Sequence, residues 1–600
     1  MIPYQSNPFQ LKIQNLSEQR WPWLLLGGLF IIALLVIILV ILLLLPPFSL
    51  LSRLDRSYVS VGMAGNTLRD PDGAQLIFLP EGVAEPFRVK LAQVPRNLFL
   101  EGSIDPNLLN AASTIPANLV MKSPFYRIER RGPAPRSVTI DIPIPNEAEP
   151  YHTLDLYTWD GESWVWLPSR TLPDEEVIEA TLSYLPTSVV VMQTHPLNPH
   201  VSAAYSPNTL LPDDFRNAPL EINPQGYYLE AEGLIAGKID PLPSDVLNGA
   251  FTIMPTIRNW NDEGVIRSDL IDNLLIDPEA RQRHIATIVG LLQSNTYGGI
   301  ELDYRGISPD LRDDFTSLLK ELRTVLPLER RLAVRVELPQ PLSGETWDTG
   351  PYDWQAIGSL ADFVRMPASP DPRAYAPGGQ MNRMLDWAVG QVNRYKLQLS
   401  LTTRSVEQHS GQTRLVNYHE ALTALGTVAI AGGASTIRPG QPLDFSLSGL
   451  QNGATLQFDS DSGLYLLTQV KDNTPRALYL ENAASLARKL QLVAQYNLRG
   501  VAVQNLFDDD SDFENRAVIR HFIDLALSPT EGQHAVVWQV KNQDGGIIAE
   551  EIDDLTASPA FRWTTPAASG NYQVTASISP NRNPATATPL GSVAIVVTGP

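Results

Sequence analysis

From residue 250 onward, apolar runs of strand length alternate with longer runs at helical spacing. Phe251-Thr252-Ile253-Met254-Pro255-Thr256-Ile257-Arg258-Asn259-Trp260 reads as a strand running into a loop. In Pro278 to Ser294, Ile285, Ile288, Val289 and Leu292 recur at the spacing of one helix face. The strand Ile300-Glu301-Leu302-Asp303 comes next. A helix from Pro309 to Leu326 follows, with Phe315, Leu318, Leu319 and Leu322 on one side. Leu332 to Leu338, Asp362 to Met366 and Leu397 to Arg404 read as strands, with a helix from Met381 to Arg394 between the last two. After hairpin-like sequence at 428–475, the alternation resumes with helix Ala483 to Gln495, strand Gly500 to Leu506 and helix Glu514 to Leu527. Strands separated by helices belong to βαβ units and run parallel. Residues 200–527 are therefore expected to build a parallel sheet, its first two strands near 201–205 and 227–235.

The stretch Tyr297-Gly298-Gly299-Ile300-Glu301-Leu302-Asp303-Tyr304-Arg305-Gly306-Ile307 resembles the fourth barrel strand of glycoside hydrolase family 18, the chitinase-like family. That strand reads D-G-x-D-x-D-x-E. Here Gly298 stands at the first Asp, Glu301 at the second, Asp303 at the third and Arg305 at the final Glu. The resemblance covers about 200–527 and implies a (β/α)8 TIM barrel with an insertion at 428–475. It also implies a substrate class, polymers of N-acetylglucosamine. In the family the final Glu protonates the leaving sugar oxygen, and a neighbouring Asp holds the acetamido group. Arginine stays protonated above pH 12 and cannot act as that acid. Other family positions depart too: Met366 is followed by Pro367-Ala368-Ser369, strand seven ends Arg404-Ser405, and Gln504-Asn505 stand where a Trp is usual.

Glu301, Asp303 and Arg305 alternate along one strand and so face the barrel interior. Arg335 and Glu337 share another strand face, while Arg258, Arg365 and Arg404 end further strands. One reading is a polar ligand pocket formed by Arg258, Asn259, Trp260, Arg305, Arg335, Arg365, Arg404 and Gln504. The other is an internal ion-pair network of arginines against Glu301, Asp303 and Glu337. Glu301, Asp303 and Glu337 are the candidate catalytic carboxylates, with Glu337 the candidate for a relocated acid. The expected function is a pseudoenzyme: non-catalytic binding of cell-wall or extracellular glycan, or scaffolding at the envelope. Two alternatives stand beside it, a glycosidase with a rearranged acid and a structural stalk.

The formal net charge of -20 argues against a nucleic-acid partner, which needs a basic face. With no cysteine, disulfides and thiolate metal sites are excluded. No cofactor is expected, and no protein partner can be named. Leu24 to Leu45 is apolar throughout except for Gly27 and Gly28; as a helix it would span about 33 Å, enough for a bilayer. The expectation is a short tail at 1–21, a transmembrane helix at 22–46 and a single-pass protein of the bacterial cell surface, its bulk extracytoplasmic.

Residues 57–197 read as an all-β sandwich, with Asp160-Gly161 as a hairpin signal. They loosely resemble ZU5-type modules. Residues 530–600 look like an immunoglobulin-like β-sandwich, with Trp538 and Tyr572 as core. Trp260, Trp347 and Trp354 are either a sugar-stacking rim or loop anchors. Asp508-Asp509-Asp510-Ser511-Asp512 reads as an acidic cap on the following helix, since it lacks the glycine and glutamate of a calcium loop.

Overall fold

The computed structural model describes Leu34 and residues 57–102, 106–206, 209, 211–247, 249–343, 346–431, 437–508, 513–526 and 533–598. The described residues fall into two compact units, one that includes 57–93, 126–140 and 182–187 and a second that includes 94–102, 106–125, 141–181 and the described residues from 188 on. In the first, Val59–Val61 pairs antiparallel with Phe87–Val94, and Asn66–Arg69 with Gln75–Phe78. Its core includes Val61, Leu76, Phe78, Phe87 and Val89, with Phe78 and Phe87 edge to face at 5.1 Å.

Within the second unit, Leu119–Met121, Ser188–Thr194, Leu154–Trp159 and Trp164–Leu167 form an antiparallel sheet in that order. The rest is dominated by eight parallel strands. We number them β1 (His200–Tyr205), β2 (Leu220–Pro224), β3 (Thr252–Ile253 and Thr256–Arg258), β4 (Gly299–Asp303), β5 (Arg331–Arg335), β6 (Phe363–Pro367), β7 (Leu397–Thr402) and β8 (Gly500–Gln504). Pro255, which has no N–H to give a ladder, divides β3. Its first part pairs with β2 and its second with β4. Since β8 pairs with both β7 and β1, the sheet closes on itself. Ile300 and Leu302 of β4 are buried towards the helix layer, where helices Pro278–Ser294 and Arg312–Val325 contribute Ile285, Ile288, Leu318 and Leu322. Closure leaves the alternate residues no solvent to face, which is why the polar ones among them must pair with each other.

The second strand corrects the sequence expectation. It is 220–224; residues 227–237 instead form a short antiparallel hairpin whose first arm lies beside β3. Glu221 and Asn223 point inward and break the apolar run that marks a buried strand, so the pattern was masked.

The expected transmembrane helix at 22–46 is also corrected. Among the described residues no helix is long and apolar enough to cross a membrane. The longest described helix, Pro278–Ser294, has 17 residues, carries Glu279, Arg281 and Arg283, and packs on the barrel, whereas a span needs about 20 apolar residues. The run at 22–46 and the tail at 1–21 lie outside the described residues, Leu34 excepted. The single-pass fold class and localisation are withdrawn.

After β7 the chain leaves the barrel to form a five-stranded antiparallel sheet in the order 412–416, 405–409, 474–480, 464–471, 455–459. Pro442–Leu447 pairs with Ala560–Thr564, and residues 535–597 supply a four-stranded sheet. Both segments bury side chains in one core: the Trp538 and Phe561 rings stack at 5.7 Å, and Phe445 lies 5.9 Å from Phe561.

The sheet at 154–167 is tied to the base of the barrel by a buried charge pair. Arg394 Nε and Nη2 donate to Asp155 Oδ2 and Oδ1 at 2.8 and 2.7 Å, while Nη1 reaches the carbonyls of His152 and Tyr496, each at 2.9 Å. Removing one partner strands the other in the interior, which costs about 3–5 kcal/mol, whereas replacing both can be neutral. Arg394→Met should therefore lower the denaturant midpoint sharply, and Asp155→Leu added to it should recover most of the loss. Equal, small shifts in both variants would show that the pair does not tie these elements.

Candidate functional site

The barrel interior is filled by charge. Arg365 of β6, fully buried, forms ion pairs with Glu221 of β2 and, at 2.8 Å, with Glu301 of β4; its Nε donates to Gln398 of β7 at 3.0 Å. Glu301 is shared with Arg335 of β5 at 3.4 Å and accepts from Thr256 Oγ1 at 2.6 Å. Arg335 Nε lies 3.2 Å from Asp303 Oδ2. Arg305 then grips the same carboxylate with two parallel bonds, Nε to Oδ1 and Nη2 to Oδ2, each 2.8 Å. The result is a chain of alternating sign: Glu221, Arg365, Glu301, Arg335, Asp303, Arg305.

Burial alone would push Glu301 up, but Arg365 and Arg335 together with the Thr256 hydroxyl hold it down at about 2. His200 of β1 sits beneath the network. Burial, with Arg499, Arg365 and Arg331 nearby, lowers it to about 3, so it is neutral at neutral pH. Gln398 Nε2 donates to His200 Nδ1 at 2.9 Å, which places the ring proton on Nε2, 3.7 Å from Glu221 Oε2. Burial lowers Arg305, but Asp303 outweighs this and raises it above its ordinary value, so it remains a cation.

Asn259 positions Arg305 by its backbone: its side chain accepts from Arg305 N at 2.9 Å and donates to Arg305 O at 2.8 Å. The Trp260 ring lies between two guanidinium groups, Arg305 at 4.0 Å and Arg258 at 4.4 Å from its centroid. Such cation–π contacts are worth about 0.5–2 kcal/mol each. Two cavities open above the network. The inner one, about 330 Å³, is lined by Asp303, Arg305, Arg335, Glu337, Leu401 and Leu415 among others. The outer groove, about 930 Å³, is lined by Arg258, Trp260, Arg305 and Arg404. Thr413 and Leu415 of the 405–416 hairpin, together with Arg305 and Gln504, border both.

The structure therefore brings together Glu301, Asp303, Arg305, Arg335 and Arg365. Asn259, Trp260 and Gln504 lie around Arg305 at the mouth, whereas Glu337, Arg258 and Arg404 stand outside the ion-pair network. Glu337 lies beyond the end of β5, is exposed, and accepts from Gly306 N at 2.8 Å; it is not part of the ion-pair network. Arg258 pairs with Asp262 and donates to Tyr228 OH at 2.7 Å. Arg404 pairs with Asp508 at 2.7 Å. Trp354 is buried against Trp387, and Trp347 packs on the same ring, so these two are loop anchors and not a rim. Residues 509–512 of the acidic run lie outside the described residues.

Sequence reasoning missed Glu221, Asn223, Thr256, His200 and Gln398. Asn223 Nδ2 donates to Glu221 Oε1 at 2.8 Å and fixes that carboxylate. The available signal was the polar residue at every second position of short apolar runs, as in Leu220-Glu221-Ile222-Asn223.

No family model matches the chain. It is 22% identical over 291 residues to YdhD of Bacillus subtilis (strain 168), described as a sporulation-specific glycosylase; the match covers 47% of this chain and 64% of that protein. It is also 22% identical over 287 residues to the cortical fragment-lytic enzyme of the same strain, covering 46% and 61% respectively. The chain thus spans less than two thirds of the length of either relative. Among solved structures, a chitinase from Chromobacterium violaceum ATCC 12472 is similar at 19% identity and a TM-score of 0.41, covering 55% of this chain and 99% of that one. The resemblance to the chitinase-like family accords with the glycosylase relatives.

Glu301 gives a pH signature. Its folded value of about 2 lies below the roughly 4.3 of an unfolded chain. As pH falls, the unfolded state takes the proton first, so the contribution is present above about 4.3 and is lost as pH drops through about 2. Glu301→Gln should melt lower than the parent at pH 7 and lose that part of the acid-side fall in melting temperature. Parallel curves for the two proteins would contradict this.

Proposed function

We propose that the barrel mouth binds a glycan built on N-acetylglucosamine units, of cell-wall type, and does not hydrolyse it. The observation that carries this reading is the bidentate pair of Arg305 on Asp303. Arg305 stands where the resemblance places the general acid, and a guanidinium does not release its proton in the working pH range. Asp303 stands where the acetamido group would be held, and both its oxygens are already taken by Arg305, with Arg335 beside Oδ2. To orient a substrate, Asp303 would have to give up a charge-assisted pair, the stronger class of hydrogen bond. The glycosylase and cortical fragment-lytic relatives support glycan as the ligand class.

Glu337 favours a second reading. It is an exposed carboxylate on the inner cavity and could serve as a displaced acid for hydrolysis. An assay on chitooligosaccharides and peptidoglycan separates the two. The favoured reading expects retention of the protein on peptidoglycan with no turnover, since loss of a general acid alone costs about 10²–10⁴-fold. Turnover abolished by Glu337→Gln would establish the second reading instead.

Arg305→Glu should not revive hydrolysis. It places a carboxylate beside Asp303 and removes its clamp, costing on the order of 2–3 kcal/mol, less than a fully buried pair because Arg305 is partly exposed. Recovered chitinase activity at unchanged melting temperature would overturn this.

A further inference from the structure

We propose that Gln504, at the mouth end of β8, is the residue that reads the acetamido group of the sugar; this rests on the reading that the mouth binds a glycan. The barrel interior is filled unevenly. The charged network draws on β2, β4, β5 and β6, with Arg305 just past the end of β4. On β7, Ser400 and Thr402 share the inward parity of Gln398, and Thr402 lies opposite Gln504 in the ladder. On the other side of β8, Ser202 of β1 lies opposite Ala502. These neighbours are small and uncharged, so Gln504 faces open space and not packed charge. It borders the inner cavity, the outer groove and a narrow pocket that reaches down to Glu301 and Asp303.

The polar groups of this sector are uncommitted. Among the described residues no hydrogen bond engages the Gln504 carboxamide, which is half-buried. The hydroxyls of Ser400 and Ser202, residues 7% and 0% exposed, also lack partners, and Ser400 belongs to the wall of the inner cavity. Unpaired buried groups are costly, so a ligand that supplies partners here gains affinity. The charges on the inner cavity balance: Asp303, Glu337 and Glu481 against Arg305, Arg335 and Lys489. No unmatched charge calls for an ionised substituent, and burying one without a partner is unfavourable. The fitting group is neutral and carries both a donor and an acceptor. A secondary amide meets this: its carbonyl accepts from Gln504 Nε2 and its N–H donates to Oε1. A hydroxyl has one oxygen for both roles and cannot span the two ends of the carboxamide. Leu401 and Val406 give apolar surface for the methyl of an acetamido group. Asp303, to which the resemblance gave this task, has both oxygens engaged by Arg305.

The test is calorimetric titration of the full chain with β-1,4-linked oligomers of N-acetylglucosamine and of glucose, equal in length. The two differ only in an acetamido group against a hydroxyl. The acetamido form should bind roughly tenfold tighter, the scale of two neutral hydrogen bonds. Gln504→Met keeps the length of the side chain and loses its polar end, and it should bring the ratio close to one. Gln504→Glu keeps an acceptor and loses the donors, so its ratio should fall between. A thermal melt verifies that the variants fold, and the comparison of the two sugars on the unaltered chain tests the proposal without them. A preference undiminished in Gln504→Met would overturn the proposal and assign the acetamido group to another residue. Equal binding of both oligomers would overturn it while leaving glycan binding at the mouth intact. Binding of neither would overturn both.

Discussion

The alternating chain Glu221, Arg365, Glu301, Arg335, Asp303, Arg305 is the constraint on which the barrel depends. Closing eight parallel strands forces every second residue into a space without water. Arg335, Arg365 and three carboxylates fill that space with Arg305 capping it at the mouth, and each buried charge is stable there only because its neighbours have the opposite sign. An isolated buried charge would neutralise or expel itself. Thr256, Asn223 and Gln398 supply the neutral hydrogen bonds that complete it. The chain of charges runs from the neutral His200 at the base to Arg305 at the mouth, where solvent and Trp260 take over.

Structure and function meet at that upper end. The position the resemblance assigns to an acid is occupied by the terminal cation of a structural network. Catalysis by a carboxyl group at this place and closure of the network by arginine are mutually exclusive uses of one residue. The cavity above keeps an apolar wall of Leu401, Val406 and Leu415 and the exposed carboxylate of Glu337.

The helical face at Ile285, Ile288 and Leu292 and the strand at 299–303 were legible because local periodicity decides them. The sharing of Asp303 by two arginines was not, because it depends on cross-strand register, which places Arg335 beside Arg365 and Arg258 beside Asp303. Arg258 illustrates the limit. It ends its strand at the expected place, yet Asp262 in the following loop captures it. Glu337 shares parity with Arg335, but β5 ends before it and the chain turns it to solvent. The second strand escaped notice for the same reason that makes it important: its inward residues carry the charge and amide of the network. Likewise, the pairing of 442–447 with 560–564 joins segments more than a hundred residues apart, and no local pattern announces it.

The most direct test is a crystal structure of the protein with an N-acetylglucosamine oligomer at the barrel mouth. The account predicts an intact oligomer resting in the cavity, with Asp303 still gripped by Nε and Nη2 of Arg305. A structure in which Arg305 has swung away, Asp303 holds the acetamido group and a carboxyl group reaches the glycosidic oxygen would contradict it.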